Sequence, residues 1–319
     1  LSVGAVRGGF TRTTRPATLH NALAYTKTPE KANLVLSNPF CIIRTIKNTA
    51  LSYEKYFDRE TLSKIFTPYH YPQDVASSIE GKNVIFFILE SFSAEHSAHL
   101  MPHLHDGGNG YTPFIDSLMR QGLTFTQGYS NGYKSIEAMS SSLSSIPSFK
   151  KTFVLLPYSL AETRALPRML ADKGYSTAFF CGSPQGSMGF DTYARSIGID
   201  KTFAQEDYEK ARGKGDFDGS WGLWDEPFLG YMGEALDRLE QPFMSTVFTV
   251  SSHHPFNVPV EYADSLPDGP HKINKTIAYT DVAIRRFFED NAGKEWFRNS
   301  VFVFTADHVS SGRVAPETN

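Results

Sequence analysis

Apolar runs and helical patterns alternate along the chain from about residue 80 onwards. The runs typical of buried strands lie at 83–89, 123–126, 176–181, 243–250 and 301–306. Between them, apolar side chains recur at spacings of three and four, as on one face of a helix, for example at Leu166, Met169 and Leu170 and at Tyr279, Val282, Ala283 and Phe287. Strands buried on both faces that alternate with helices predict an α/β fold, a three-layer α/β/α sandwich around a mostly parallel central sheet.

The first quarter of the chain is less regular. Residues 1–75 are rich in Arg, Thr and Pro at first, and helices are predicted near 17–35 and 38–56. We expect this helical or irregular segment to pack on, or lead into, a second unit of residues 76–319. Within that unit, the Gly-rich stretch 211–222 predicts a long loop, and long loops in compact domains are often functional.

Composition and charge exclude some classes of protein. The 319 residues are 40% hydrophobic and 20% charged, which is ordinary for a globular chain. A net charge of -3 lacks the excess of positive charge that is typical of nucleic-acid-binding proteins. No apolar run approaches the roughly 18 residues of a membrane span. The chain ends eleven residues after His308, which leaves open a missing final strand or helix, or a truncated C-terminal part.

Two predicted strands end in residues that commonly bind metal ions. Glu90 follows the run 83–89, and Asp307-His308 follow the run 301–306. In open α/β sheets the carboxyl ends of the strands are where ligands bind. These three residues therefore predict one shared metal site, although each alone is also typical of a solvated strand end or a capped turn.

A candidate nucleophile lies between these strands. The turn signal Asn131-Gly132 precedes Lys134-Ser135, and an amphipathic helix with Ile136 and Met139 on one face follows. Ser135 is thus expected at or near a helix N-terminus, where free N–H groups favour an anion. A serine hydroxyl beside a lysine and a divalent metal is suited to attack phosphorus. By position alone, a simple helix cap is the alternative.

Five short motifs together resemble those of a known family. In chain order they are Glu90-Ser91-Phe92-Ser93, Tyr111-Thr112-Pro113-Phe114-Ile115-Asp116, Lys134-Ser135-Ile136-Glu137, Ser252-His253-His254-Pro255-Phe256 and Thr305-Ala306-Asp307-His308. In this order they resemble the catalytic domain of the lipoteichoic acid synthase family, sulfatase-like phosphoglycerol transferases of the alkaline phosphatase superfamily. The resemblance covers about residues 80 to 312. It implies an alkaline phosphatase-like fold and a sulfatase-like catalytic domain over 76–319.

The resemblance also implies a ligand set and a reaction. One divalent ion, most often manganese with zinc and magnesium as alternatives, would be held by Glu90, Ser135, Asp307 and His308. Ser135 would be the nucleophile of a metal-dependent phosphotransferase. A phosphoglycerol-type group would pass from a phospholipid head group through a covalent Ser135 intermediate to a glycan or lipid acceptor.

The family location is implied in the same way. Related proteins carry membrane spans ahead of this domain. The resemblance therefore implies a membrane-anchored parent protein whose domain lies on the extracytoplasmic face of the cell membrane, which is the periplasm in a Gram-negative cell.

At the positions expected to bind the substrate, this chain matches the family less well. His253 matches the family's substrate-binding histidine, and Lys134 is the other expected phosphate contact. Cys181 stands where the family has a second histidine, and the stretch that ends at Asp191 lacks the family's Trp and Arg. A missing Arg removes a bidentate phosphate clamp. The substrate is therefore expected to be something other than phosphatidylglycerol.

Other side chains are expected to replace that clamp. Asp191 is a candidate for binding the substrate, and Trp221 and Trp224 are candidates for the pocket wall, with packing beneath the long loop as the alternative for both tryptophans. Four histidines, His96, His99, His103 and His105, predict a solvated or pocket-edge loop rather than a metal site.

Three rival functions stay open at this stage. A sulfatase of this superfamily needs a Cys/Ser-x-Pro-x-Arg motif, but Ser135 is followed by Ile136-Glu137-Ala138-Met139. A phosphodiesterase or phosphatase would use the same site, with water in place of the acceptor. A non-catalytic glycan- or lipid-binding ectodomain is the rival of another class, and the intact Glu-Ser-Asp-His set argues against it.

Overall fold

The described part of the chain is built around one parallel sheet. The computed structural model describes residues 79–148, 151–156, 159 and 161–310, together with residues 26, 31, 34–46, 55–67 and 71. Its strands are β1 Asn83–Leu89, β2 Ser176–Cys181, β3 Lys201–Phe203, β4 Phe243–Phe248 and β5 Ser300–Ala306. Their order in the sheet is β3-β2-β4-β1-β5, and all four pairings are parallel.

The described helices are α1 Asn38–Thr45, α2 Arg59–Ile65, α3 Pro113–Met119, α4 Ser135–Ser144, α5 Leu166–Ala171, α6 Phe190–Ser196, α7 Gln205–Arg212, α8 Asp225–Leu236, α9 Lys272–Asn291 and α10 Glu295–Arg298. Helices later in the chain than α2 cover both faces of the sheet, whereas α2 buries none of its residues. Among the described residues, no helix is both long and apolar enough to cross a bilayer.

Alternate residues of the central strands supply two cores. Along β1, Ile85 and Phe87 join a cluster with α8 and α9, whereas Phe86 and Ile88 join a second cluster with α4 and α6. This is the two-sided burial expected of a parallel sheet. The predicted α/β/α sandwich is therefore confirmed, and its parallel strands bring their carboxyl ends to one edge.

Two details of the predicted strand pattern are wrong. Residues 123–126 form no strand, and Leu123 and Phe125 are 85% and 78% exposed. The run alternates apolar and polar residues as a strand does, but no neighbouring strand pairs with it, and a strand is stable only in a sheet. Conversely, β3 was not predicted, because three residues that begin with an exposed lysine give no apolar run.

The predicted helices are found where the structure describes the chain. The stripe at 279–287 lies within α9, and the helix predicted from Leu166 is α5, with Pro167 in its first turn. The helix predicted near 38–56 appears as α1 over Asn38–Thr45. The helix predicted near 17–35 lies almost wholly outside the described residues.

A matched pair of substitutions tests which apolar run belongs to the core. Phe87 is fully buried and its ring stacks on Phe304 at 4.7 Å between centroids, whereas Phe125 is exposed. We expect Phe87→Ala to lower the free energy of unfolding by about 3–5 kcal/mol. Phe125→Ala should change it by about 0.5 kcal/mol or less. Urea unfolding of both variants measures the difference, and equal costs would contradict the described packing.

Candidate metal centre and nucleophile

The pairing of β1 with β5 brings the predicted ligands together. Leu89 and Ala306 are register partners, and the Asp307 amide donates to the Leu89 carbonyl at 3.1 Å. Glu90 and Asp307 therefore leave the sheet side by side, and both are buried, at 3% and 4% exposure. His308, which follows at once, is partly buried, with its Nε2 atom 3.8 Å from Glu90 Oε1.

Helix α4 places the serine in the same cluster. Ser135 is the first residue of α4, after Lys134 as N-cap, and it is 5% exposed. Its hydroxyl donates to Glu90 Oε2 at 2.9 Å and lies 3.2 Å from His308 Nε2. Glu90, Asp307 and His308 thus form one cluster, and Ser135 contacts two of its members, Glu90 and His308.

The first turn after β1 orients the two carboxylates. Ser91 adopts a left-handed conformation, φ 55°, which few non-glycine residues adopt. Its amide donates to Asp307 Oδ1 at 2.7 Å, and its hydroxyl donates to Glu90 Oε1 at 2.7 Å. Sequence reasoning missed this role. The only signal was that Ser91 follows a strand-ending acid, which does not reveal the backbone conformation.

The donor set fits a divalent cation. One ligand atom each of Glu90, Asp307 and His308 lie within 4.8 Å of one another. Asp307 Oδ2 is buried and has no hydrogen-bond partner, although His308 Nε2 lies 3.2 Å away without suitable geometry. His308 Nδ1 is 2.8 Å from the Val309 carbonyl, so this nitrogen carries the proton and Nε2 keeps its lone pair for a ligand.

The electrostatics of the pair also favour a cation. Burial raises the pKa of Asp307 far above its usual range, and the nearby Glu90 carboxylate raises it further. Two carboxylates this close in a poorly solvated place resist full ionisation unless a positive charge lies between them. Carboxylate and imidazole ligands suit manganese or zinc, and carboxylates with a hydroxyl also suit magnesium.

His253 and Trp221 lie at the same edge of the sheet. Ser252, the residue before His253, donates its hydroxyl to the Glu90 carbonyl at 2.5 Å. The His253 ring is 4.0 Å from the Trp221 ring between centroids, and its Nδ1 atom is 3.0 Å from the His254 carbonyl. These contacts leave the Nε2 atom of His253 as the ring nitrogen available to a substrate.

A carboxylate in the Gly-rich loop holds Trp221 in place. Asp218 Oδ1 accepts from the amides of Ser220, Trp221 and Gly222 at 2.6, 2.7 and 3.2 Å. The predicted loop is confirmed over 213–222, but Asp218 was not singled out from the sequence. An Asp two to four residues before its partners is a known turn signal that could have identified it.

The remaining predicted substrate residues occupy different places. Lys134 is exposed beside Ser135, where its ammonium is free to reach an anion. Asp191 is buried in the first turn of α6, and its charge contributes, after burial, to raising the pKa of the nearby Cys181 thiol to about 11. Trp224 packs edge-on against Tyr279, 6.0 Å between ring centroids, and turns toward the α8–α9 side.

One part of the histidine prediction is wrong. His99 and His103 are exposed, as a solvated loop requires, but His96 is completely buried. Burial lowers the pKa of His96 to about 4, with His105 and His271 adding to the effect. The sequence could not show this, because the contact with Asn274 joins residues 178 positions apart.

Comparisons with known proteins agree with the fold and the motif order. A family model described as Sulfatase matches residues 82–316. The lipoteichoic acid synthase-like protein YvgJ of Bacillus subtilis (strain 168) is 26% identical over 283 residues, which are 84% of this chain and 44% of YvgJ. The chain thus spans less than half the length of this curated relative.

Solved structures give the same fold. A protein in the alkaline phosphatase superfamily from Vibrio parahaemolyticus aligns with a TM-score of 0.64 and 27% identity, covering 74% of this chain and 57% of that chain. The lipoteichoic acid synthase LtaP from Listeria monocytogenes aligns with a TM-score of 0.62 and 24% identity, covering 75% of this chain and 59% of that chain. The predicted alkaline phosphatase-like fold is therefore confirmed.

Metal binding should appear as a gain in stability that depends on the cluster. We expect manganese at about 100 times its dissociation constant to stabilise the protein by about 2.7 kcal/mol. Glu90→Gln should remove this gain, because it removes a charged ligand. Asp281→Asn is the matched control, since Asp281 is also buried but accepts only the amides of Phe114 and Ile115. Thermal melts with and without manganese and a chelator measure the gain; a shift that persists in Glu90→Gln would place the ion elsewhere.

Proposed function

The chain belongs to the Sulfatase family, and on that premise we propose that it transfers a phosphoglycerol-type group from a phospholipid donor to a glycan or lipid acceptor. The observation that carries the proposal is the Ser135 hydroxyl, held in contact with Glu90 and His308 in a buried cluster of metal-type ligands. Relatives named lipoteichoic acid synthase and phosphoglycerol transferase support the reaction class.

Ser135 acts as the nucleophile. Its Oγ atom forms a bond to phosphorus, the bond from phosphorus to the lipid alkoxide breaks, and the alkoxide leaves with a proton. Glu90 Oε2 already accepts the hydroxyl hydrogen at 2.9 Å and is the base nearest to it. The resulting phosphoglyceryl-serine is resolved when an acceptor hydroxyl attacks phosphorus and Ser135 recovers its proton.

Glu90, Ser135, Asp307 and His308 would hold the divalent ion. When bound, it supplies Lewis acidity that lowers the pKa of the attacking hydroxyl and offsets charge on the phosphoryl oxygens. Manganese is the proposed ion, with zinc and magnesium as alternatives. The Ser91 contacts keep the two carboxylates oriented, so little rearrangement is needed at the ligands.

The substrate phosphate meets His253 and Lys134. Ser252, the residue before His253, donates to the Glu90 carbonyl, and Lys134 is the N-cap of α4 directly before Ser135. Trp221, whose ring is tilted by 49° against the His253 ring, supplies the wall of the pocket. Asp191 and the division of the chain at residue 75 stay predictions.

The cellular location and the phospholipid donor are part of the same proposal. We propose that the full protein is membrane-anchored and that this domain works at the extracytoplasmic face of the membrane, where phospholipid head groups are accessible. The absence of Pro and Arg after Ser135 disfavours sulfate ester cleavage, despite the name of the family.

Removing the Ser135 hydroxyl should abolish turnover and leave the fold intact. Ser135→Ala loses one buried hydrogen bond, so we expect a stability change of about 1 kcal/mol. Release of p-nitrophenol from bis(p-nitrophenyl) phosphate with manganese present should fall to background. Ser141→Ala on the same helix is the control, because that hydroxyl only bonds backbone carbonyls of α4. Activity that survives in Ser135→Ala would show that water attacks phosphorus.

Free glycerol phosphate should bind weakly. Cys181 and the missing Arg remove contacts to the ligand, and each buried polar contact is typically worth about 1–3 kcal/mol, or roughly ten- to a hundred-fold in affinity. Titration calorimetry with manganese should show a further loss in His253→Ala, but none in the control His99→Ala, whose side chain is exposed in another loop. Tight binding that survives His253→Ala would mean that other residues form the pocket.

A further inference from the structure

A second concave site lies between α8 and α9, outside the cluster around Ser135. This cleft has a volume of about 630 Å³, within the range of about 300–1,000 Å³ usual for small-molecule pockets. One wall is a single face of α8, with Glu226, Gly230 and Glu234 at spacings of four residues. The other wall is formed by α9, including Tyr279 and Arg286.

Gly230 lies in the α8 wall of this cleft. A glycine inside a helix costs about 1 kcal/mol relative to alanine. A Cβ atom at Gly230 would meet only the Arg212 guanidinium, at the ordinary distance of 3.6 Å, so packing does not require the glycine. Gly233, one turn later, differs, since a Cβ there would come within 2.8 Å of Asn291. A large side chain at this position would therefore project into the cleft.

The lining has fixed polar groups and aromatic rings. Arg286 Nε is 3.1 Å from Glu226 Oε1 across the cleft, and Arg212 Nη2 is 2.6 Å from Glu234 Oε1. The Tyr262 hydroxyl donates to Glu226. These ion pairs lie beside the partly buried rings of Trp224 and Tyr262, and both of these rings pack on the fully buried Tyr279.

The charges of the side chains that line the cleft disfavour some classes of ligand. Five carboxylates and three cationic side chains line the cleft, so its formal charge is -2. An anionic ligand such as a glycerol phosphate chain is repelled. An acyl chain would bury the charged groups without compensating hydrogen bonds. A neutral sugar has hydroxyls that both donate and accept, and its apolar ring faces can pack on the aromatic rings.

The Trp224 end of the cleft is linked through a few residues to the sheet edge that carries the proposed reaction. Its Trp224 precedes Asp225, whose buried carboxylate accepts from the amide of Val250 at 2.9 Å, just after β4. Ser252, two residues further on, donates to Glu90. We infer that the cleft binds a neutral saccharide of the acceptor; this assignment rests on the proposed function and makes the acceptor a glycan.

Binding of neutral hexasaccharides tests the cleft directly. Maltohexaose, laminarihexaose and chitohexaose are the probes, titrated by calorimetry into the wild-type chain and two size variants at one position. We expect saturable binding of at least one probe, nearly unchanged in Gly230→Ala and weakened at least about tenfold in Gly230→Phe, which fills the cleft. Trp224→Ala should weaken binding of the same hexasaccharide by a similar factor. If Gly230→Phe does not fold, binding to Trp224→Ala tests the inference.

Several outcomes would overturn the inference. They are no binding of any of the three hexasaccharides, or binding that neither Gly230→Phe nor Trp224→Ala affects. Binding of glycerol phosphate that Gly230→Phe abolishes would contradict the neutral ligand class.

Turnover of bis(p-nitrophenyl) phosphate separates this inference from the proposed function. Gly230→Phe should retain that turnover, because the small substrate needs no acceptor site. If the wild-type chain shows turnover but no saccharide binding, only the inference about the cleft is contradicted. If it shows saccharide binding but no turnover, only the proposed phosphotransfer is contradicted.

Discussion

The arrangement of the site depends on one constraint, the in-register parallel pairing of β1 with β5. Because Leu89 and Ala306 are partners, the next residues, Glu90 and Asp307, emerge side by side with little access to water. Burial raises the pKa of Asp307, and repulsion by the Glu90 carboxylate raises it further. Ser91 offsets part of this cost by donating to one oxygen of each carboxylate, but Asp307 Oδ2 stays without a donor. A positive charge beside the two carboxylates would therefore be stabilising. The neighbouring side chains, Ser135 and His308, are groups that can bind a cation.

Much of this arrangement could be predicted because it follows from short-range patterns. An apolar run that ends in Glu90, and another that ends in Asp307, place both acids at the carboxyl edge of a parallel sheet whatever the strand order is. Ser135 could be placed because the turn at Asn131-Gly132 and the helical stripe after it fix where α4 begins. The strand order itself, which makes β1 and β5 neighbours, came only from the structure, since strand pairing depends on contacts over more than two hundred positions.

The features that the sequence did not reveal depend on which distant parts of the chain pack against a residue. Leu123 and Phe125 alternate with threonines as in a strand, yet they are exposed because no strand lies beside them. His96 sits among other histidines in sequence and is nevertheless buried, since α9 closes over it through Asn274. Trp221 and Trp224 look equivalent as neighbouring tryptophans in one loop. The structure separates them, with Trp221 on His253 and Trp224 on Tyr279.

That separation has a physical origin in the loop between α7 and α8. The Asp218 carboxylate gathers three successive amides, and the Leu223 amide donates to the Gly182 carbonyl at 2.9 Å. Gly222 approaches Gly182 so closely that a Cβ atom there would lie 2.6 Å from the Gly182 carbonyl oxygen, so this crossing admits no side chain. The loop is thus clamped to the end of β2 between its two tryptophans. This crossing lies between Trp221, whose ring is near the His253 ring, and Trp224, whose ring lines the α8–α9 cleft.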